Sequence, residues 1–423
     1  MASQLRMAQE PMSDFSHPKA SARSLSALYV STFLSGAWAM IIPTIPVLAR
    51  EFDVSAGGAA QVITAFAFGK MAGTMLGGVL IDRKGTRFGL VGSAAVAAAA
   101  SFAAVWSPWF SLLMSLAFIL GASDTLGAVA REIAAIDQAP RNRRGRIISS
   151  LHGTHTIGMA FCPFLGGWLT ELFNYKAAFF GYAVFSVISV FLGMLVANSP
   201  GEVHGKSSAN GAATGWRLAG LRARVIGLAH LYREIRPDLR STYCSIVFAT
   251  LVNQSQRMII QSMLPLYAVR YLQLSPSQIG TLFTISGVVI FAMMIPAGFV
   301  MDRVGRKWCT VPSTGIPALT FLLIPLTSNF FQLALLIGIS GVAQGLSLGS
   351  LATATYDVVP AHLRGRLQAL RRTVAELGSG MAPLIGGFLA NSFNPGVPFW
   401  AYAPLLFVSA LFLALVSKET LNK

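Results

Sequence analysis

Long apolar runs separated by short polar islands dominate the chain. The runs fall near 26–49, 59–81, 88–107, 110–136, 147–170 and 177–198, then near 243–269, 278–301, 309–328, 331–356, 367–391 and 397–417. Most match the roughly 20 residues that a helix needs to cross hydrocarbon. In that medium every backbone N–H and C=O must be satisfied within the segment, so the runs predict helices. The period-two alternation of a membrane barrel is missing. The pattern predicts an all-α membrane protein of twelve transmembrane helices in two six-helix bundles. It divides the chain into a tail (1–25), a first bundle (26–198), a linker (199–242), a second bundle (243–417) and a final tail (418–423).

Composition narrows the class. Of 423 residues, 54% are apolar and 11% charged, and the mean hydropathy is +0.61. Soluble domains carry about a quarter charged residues, so disorder, collagen-like structure and most soluble enzymes are excluded. The net charge is +16. A basic balance can signal nucleic-acid binding, but here the charges sit in islands between apolar runs. The lipid bilayer is the expected partner, and nucleic acid is not. Cys162, Cys244 and Cys309 show no ligand spacing, so neither a disulfide framework, a metal site nor a cofactor is expected. The first 25 residues hold no apolar core of a cleavable signal peptide.

The charged islands set an orientation. One set of loops holds Asp82, Arg83, Lys84 and Arg87, then Arg141, Arg143, Arg144 and Arg146, and in the second half Asp302, Arg303, Arg306, Lys307, Arg364 and Arg366. In the opposite set Arg50, Lys176 and Arg270 are balanced by Glu51, Asp53 and Glu171. The positive-inside rule places the basic loops and both termini in the cytoplasm. The linker opens with a Gly/Ser/Ala/Asn stretch, the composition of a tether. Arg217, Arg222, Arg224, Arg233, Arg236 and Arg240 follow, alternating with Leu, Ile and Ala. This is either a loop obeying the charge rule or an amphipathic helix on anionic lipid.

The halves repeat at a constant offset of 220 residues. Gly78, Asp82, Arg83 and Gly85 recur as Gly298, Asp302, Arg303 and Gly305. Asp137, Pro140 and Arg144-Gly145-Arg146 recur as Asp357, Pro360 and Arg364-Gly365-Arg366. Gly158, Pro163, Gly166 and Gly167 recur as Gly378, Pro383, Gly386 and Gly387. Duplication of this kind marks a transporter built from two pseudo-symmetric bundles that rock around a site at the bilayer midplane. A membrane enzyme has no need of it, and HExxH and CxxC are missing. A transporter-like receptor would carry a signalling tail. No GxxxxGK[ST] loop points to ATP as the energy source.

With these motifs the chain resembles the major facilitator superfamily along essentially its whole length. Gly78 to Arg87 is similar to that superfamily's signature loop between its second and third helices. The run Gly158, Pro163, Gly166, Gly167 resembles the fifth-helix antiporter motif of drug–proton exporters, with Cys162 in place of a glycine. Pro43 and Pro46 resemble a proline pair of the same exporters. The resemblance implies a cytoplasmic latch formed by Gly78, Asp82, Arg83, Gly85 and Arg87 and by Asp302, Arg303, Gly305 and Arg306. In it the two aspartates meet the positive N-terminal ends of the helices at 367–391 and 147–170. Charge that merely sets topology is the simpler reading.

Ionisable groups at membrane depth are costly and mark pathways or partners. Lys70 lies 12 residues before Asp82, about 18 Å deep at helical rise. Asp124 is mid-span, Arg131 shares its face, and Glu132 is adjacent; the group forms either a charge relay or a structural pair. His152 and His155 share a side of the fifth span, and histidine titrates near neutral pH. The seventh span carries Asn253, Gln254, Ser255, Gln256, Arg257 and Gln261, a run expected to line the cavity. Arg257 offers a planar fork to a carboxylate or phosphate. In the eleventh span Arg371 and Arg372 precede Glu376, and Arg372 with Glu376 has the spacing of an ion pair.

Arg257 stands to Pro265, and His155 to Gly145, as in organophosphate–phosphate exchangers of the same superfamily. The partner arginine of those exchangers is absent, Trp38 and Ser35 standing at the candidate positions. The fourth-helix arginine of drug–proton exporters is replaced by Ala117. The expectation is a secondary active transporter moving a small organic, anionic or amphiphilic solute by alternating access, with proton-coupled export first. Exchange or import of an organic anion, phosphate ester or metal chelate is the alternative. Lys70, Asn253, Gln254, Gln256 and Arg257 are the expected substrate contacts, and Asp124, His155 and Glu376 the proton carriers. Protons or a counter-substrate complete the partners of a monomer in a bacterial cytoplasmic membrane.

Overall fold

The computed structural model describes residues 22–138, 144–196, 235–360 and 363–419. Arg141, Arg143 and the linker arginines from Arg217 to Arg233 lie outside them. Among the described residues twelve helical units follow one another, six in each half. The first, α1, joins a helix Ala22–Leu34, a 3-10 stretch Ser35–Thr44 and a helix Ile45–Glu51. Then come α2 (Ala56–Lys84), α3 (Thr86–Val105), α4 (Phe110–Gln138), α5 (Arg144–Leu172) and α6 (Tyr175–Leu195). The second half holds α7 (Arg240–Leu272), α8 (Pro276–Arg303), α9 (Lys307–Leu326), α10 (Phe330–Val358), α11 (Arg364–Ser392) and α12 (Val397–Val416). Among the described residues helix is already present at Ala22, and α7 begins at Arg240, slightly before the apolar runs.

Nine of these units are apolar and long enough to cross a membrane. The other three, α2, α5 and α7, are at least as long, and all three position the candidate site. Large apolar side chains face outward, with Ile295 82% and Phe331 81% exposed. An apolar outer surface of that kind is stable only against lipid.

The distribution of buried side chains shows how the halves meet. One apolar cluster runs through both, from Ile42 and Phe179 to Phe321 and Phe399. Towards the basic loops the core divides in two. Leu28, Ile81 and Ala134 pack within the first half, and Tyr243, Val358 and Leu363 within the second. Among the described residues the halves therefore share a core at the end opposite the basic loops, and each keeps its own core at the basic end.

Glycine lets the joined end close. A Cβ on Gly57 would stand 2.0 Å from the Gly387 carbonyl oxygen, one on Gly167 2.2 Å from that of Pro276, and one on Gly280 2.4 Å from that of Pro163. Backbones in contact at small residues are the usual packing of membrane helices. On α8 nearer the basic end, a Cβ on Gly298 would have nothing within 4 Å.

The signature turns need glycine for a different reason. Gly85 and Gly305 have φ of +88° and +147°, backbone that side chains disfavour. Just past each turn a cation reaches the last carbonyls of the half's final helix. Arg87 donates to Met194 O at 2.7 Å, and Lys307 to Ala414 O at 2.9 Å. Cations at helix C-termini satisfy otherwise orphaned carbonyls.

Candidate functional site

In the first half the site is built by two helix crossings. On α2 and α4, a Cβ on Gly69 would meet Phe118 O at 2.0 Å, one on Gly121 would meet Phe66 O at 2.0 Å, and one on Gly73 would meet Ala122 O at 2.4 Å. That crossing fixes the register of Lys70 against Asp124, whose charged atoms lie 3.4 Å apart. The Asp124 side chain is 8% exposed and that of Lys70 35%. Pairing offsets the cost that either charge would carry alone at this depth. The ammonium also lies over two rings, 5.7 Å from Trp38 and 5.8 Å from Phe66. These rings stack with centroids 4.7 Å apart.

The second crossing joins α1 to α5. A Cβ on Gly36 would meet the Gly158 carbonyl carbon at 2.5 Å, one on Gly158 would meet Phe33 O at 2.2 Å, and one on Gly166 would meet Met40 O at 2.4 Å. Ser35 Oγ consequently sits 3.1 Å from His155 Nδ1. His155 is half-buried and within the electrostatic reach of Asp124, Lys70 and Arg131. Four of the groups singled out in the sequence thus converge in the first bundle. His152, on the same side of α5, is exposed. Glu132 is exposed as well, whereas Arg131 is half-buried and interacts with Asp124 and Tyr182.

Sequence reasoning did not single out Trp38 and Phe66 as part of this group. Trp38 lies in the ten-residue 3-10 stretch of α1, where side chains three apart eclipse. A hydrophobic run gives no sign that one of its rings will underlie a cation.

In the second half the polar run of α7 is placed inside the bundle. Asn253 is 4% and Gln256 0% exposed, so neither presents the open lining expected from the sequence. Asn253 donates to Ser313 Oγ on α9 at 3.4 Å, and Gln256 to Ser340 Oγ on α10 at 3.3 Å. Gln254 donates to Ser379 Oγ on α11 at 3.2 Å. Small hydroxyls on three neighbouring helices therefore take much of the polarity of α7, as interhelical hydrogen bonds in hydrocarbon do.

Arg257 differs from its neighbours. Its guanidinium donates to Ser347 Oγ at 2.8 Å and reaches Gln254 Oε1 at 3.5 Å. No carboxylate pairs with it among the described residues, and its buried Nε has no hydrogen-bond partner. The buried carbonyl oxygens of Asn253, Gln256 and Gln261 are likewise unpartnered. Ser347 is delivered by a break in α10: Gly349 has φ +80°, and the helix restarts at Ser350.

Glu376 lies on α11, three residues before Ser379. It is half-buried and makes no hydrogen bond or ion pair among the described residues. The Arg372–Glu376 pair suggested by the i,i+4 spacing does not form. Arg372 points out as an exposed side chain, while Arg371 turns inward to Gln368 Oε1 at 2.9 Å and Thr250 Oγ1 at 3.3 Å.

At the basic end, Gly78 and the side chains of Asp82, Arg144, Arg146, Arg364 and Arg366 lie outside the described residues. Arg83 is exposed, and Arg303 lies over the Phe299 ring at 4.5 Å. Asp302, 75% exposed, does not reach across to the first half. Its carboxylate accepts from Arg306 at 2.9 Å, and Arg306 also donates to Asp357 at 3.0 Å. Burial works against the Arg306 charge, but these two carboxylates prevail and raise its pKa above the usual arginine value. Glu419 accepts from the Arg306 and Lys307 amides at 2.9 and 3.1 Å. The expected latch aspartate is thus held within its own half. No group of three or more metal-ligating side chains occurs among the described residues.

The family model for the Major Facilitator Superfamily matches residues 27–238 and 246–423. The chain belongs to the major facilitator superfamily. As a member it is an integral membrane protein and a secondary transporter of small molecules. It is similar to the multidrug resistance protein MdtG of Citrobacter koseri, at 23% identity over 92% of this chain and 94% of the relative. An uncharacterized MFS-type transporter of Bacillus subtilis, YcnB, is 21% identical over 92% and 91% of the two chains. Among solved structures, a POT family transporter in complex with 5-aminolevulinic acid superposes with a TM-score of 0.77 at 12% identity, covering 95% of this chain and 98% of the other. The inward-open xylose transporter XylE from E. coli gives 0.72 at 15% identity, covering 94% and 97%. At these identities the likeness is one of fold.

Proposed function

We propose that this superfamily member is a proton-coupled exporter of small organic solutes that are anionic or amphiphilic, working by alternating access. The observation that carries the reading is the pairing of Lys70 with Asp124 in one bundle and the uncompensated Arg257 in the other. A substrate carboxylate or phosphate supplies the Arg257 guanidinium with the counter-charge that no described carboxylate provides. Protonation of Asp124 releases Lys70, and His155 and Glu376 are the further groups that exchange protons. The distant MdtG relatives, named for multidrug resistance, support export.

In this reading the basic loops and both termini face the cytoplasm of a bacterial cell, and the protein acts as a monomer. The halves are then open to the cytoplasm and closed outside, a state in which the solute enters. Proteoliposomes test the proposal. Export predicts uptake into inverted vesicles that follows an imposed pH gradient and stops when the gradient is collapsed. The unpaired Arg257 also favours a second reading, exchange of one organic anion for another. That reading predicts dependence on trans substrate with no response to the gradient.

A further inference from the structure

Among the described residues three hydrogen bonds to or from the backbone cross between the halves: one runs from Thr284 Oγ1 on α8 to Ala160 O on α5 at 2.7 Å, and the two nearest the closed end are copies of one another. Glu171, on the last turn of α5, accepts the backbone N–H of Ser277 at the start of α8 through Oε2, at 3.1 Å. Asn391, on the last turn of α11, accepts the backbone N–H of Gly57 at the start of α2 through Oδ1, at 2.8 Å. Each residue of the first bond stands 220 positions from its counterpart in the second, the offset of the whole repeat. The acceptor comes from the first half in one bond and from the second half in the other.

Both bonds complete a helix cap. The first amides of a helix have no intrahelical acceptor. Ser55 and Ser275, again 220 apart, each take the third amide of their own helix, at 3.1 and 3.4 Å. The second amide of each helix is left over, and the opposite half supplies its acceptor. Separating the halves at this end therefore strips an acceptor from two helix N-termini at once. Glycine makes the approach possible, since the Gly57–Gly387 and Gly167–Pro276 backbone contacts flank the two bonds.

We infer that Glu171 and Asn391 are a pair of pseudo-symmetric latches that hold this end of the transporter shut, each by capping a helix of the other half. The inference rests on the reading that the substrate site is exposed alternately at the two ends. The latches are chemically unequal. The Glu171 carboxylate brings a charge to the positive end of α8, a favourable placement, and the Asn391 amide brings none to α2. Arg50, Glu51, Asp53 and Arg270 at this end are exposed, and Lys176 lies over the Tyr175 ring. None of them pairs with Glu171, whose partners are Ser277 and Ser275. The two arms are expected to differ in strength, the Glu171 arm being the stronger.

Distance measurement between two spin labels tests the inference on the full chain. Phe173 and Phe393 are 71% and 70% exposed on either side of the closed end. Phe173→Cys with Phe393→Cys, in a background with Cys162, Cys244 and Cys309 replaced by Ser, reports its opening in lipid nanodiscs. The parent is expected to show mainly the short distance. Asn391→Ala and Glu171→Ala each raise the ratio of long to short distances, by roughly fivefold for one lost hydrogen bond, Glu171→Ala more than Asn391→Ala. The double variant raises it further, and Asn391→Asp, which keeps an acceptor, leaves it low. An unchanged distribution in a folded double variant overturns the inference. The readout needs no substrate, so it stands apart from proton coupling: labels that respond in a protein that transports without a pH gradient would leave the latches and remove the coupling.

Discussion

The Lys70 ammonium stands 3.4 Å from an Asp124 carboxylate oxygen, across a helix crossing that glycine alone makes tight enough. Each charge is tolerable at that depth because of the other. Removing one partner leaves an uncompensated ion, whereas removing both leaves an apolar contact. Asp124→Asn is therefore expected to lower both membrane abundance and transport, the latter by about tenfold or more, the scale of one lost charge partner. The double variant Lys70→Met with Asp124→Leu is expected to recover abundance and thermal stability but not pH-gradient-driven transport. Transport that survives in the double variant would show that the pair is structural only.

The crossing itself can be broken without touching a charge. A Cβ on Gly121 would lie 2.0 Å from the Phe66 carbonyl oxygen, and backbone cannot step aside as a flexible side chain does. Gly121→Ala is expected to cost at least about 1–3 kcal/mol, the usual scale of overpacking, seen as a lower melting temperature in detergent. Gly298→Ala, where nothing lies within 4 Å, serves as the matched control and should melt like the parent.

Arg257 is expected to set affinity for anionic solutes. Hydrogen bonds to charged groups contribute about 1.5–3 kcal/mol, so Arg257→Ala should weaken apparent binding by roughly tenfold to a hundredfold. Arg257→Lys should not restore it, because an ammonium cannot reproduce the planar fork that joins Ser347 to Gln254. Ser347→Ala should fall between them. Binding is read by substrate-dependent quenching of intrinsic tryptophan fluorescence, and equal affinities across the series would place the substrate elsewhere.

The twelve spans and the repeat were legible because hydrocarbon imposes a length and a polarity on every helix, and duplication preserves register. Side-chain partnerships were not. Lys70 and Asp124 could each be singled out as costly, but their pairing depends on the contacts of Gly69, Gly73 and Gly121, which no spacing rule gives. Arg372 and Glu376 have the spacing of a pair, yet no bond forms, since Arg372 turns out and Arg371 turns in to Gln368. Asn253 and Gln256 read as cavity lining because polar residues cannot face lipid. Hydroxyls on α9 and α10 offered a second way of satisfying them inside the bundle. Asn391 and Ser277 carried no signal at all, because a helix cap supplied by another half of the molecule has no local motif.

Glu171 gives the closed end a pH dependence whose sign is fixed by its surroundings. The Ser277 side chain, chiefly, holds its carboxyl below the ordinary glutamate value, with further hydrogen bonds from Ser275 and the Ser277 amide; slight burial opposes them without prevailing. A carboxyl with a depressed folded pKa contributes stability that is complete above its unfolded value, near 4.3, and disappears as pH falls through the folded one. The difference in melting temperature between the parent and Glu171→Gln should therefore be constant from about pH 6 upward, one to two units above that value. It should shrink below about pH 4.5 as the carboxyl titrates. Glu171 thus keeps its charge at neutral pH, and the latch it forms opens by movement of the halves rather than by proton uptake. A difference that grew on acidification would reverse the sign and place a proton on Glu171 in the closed state.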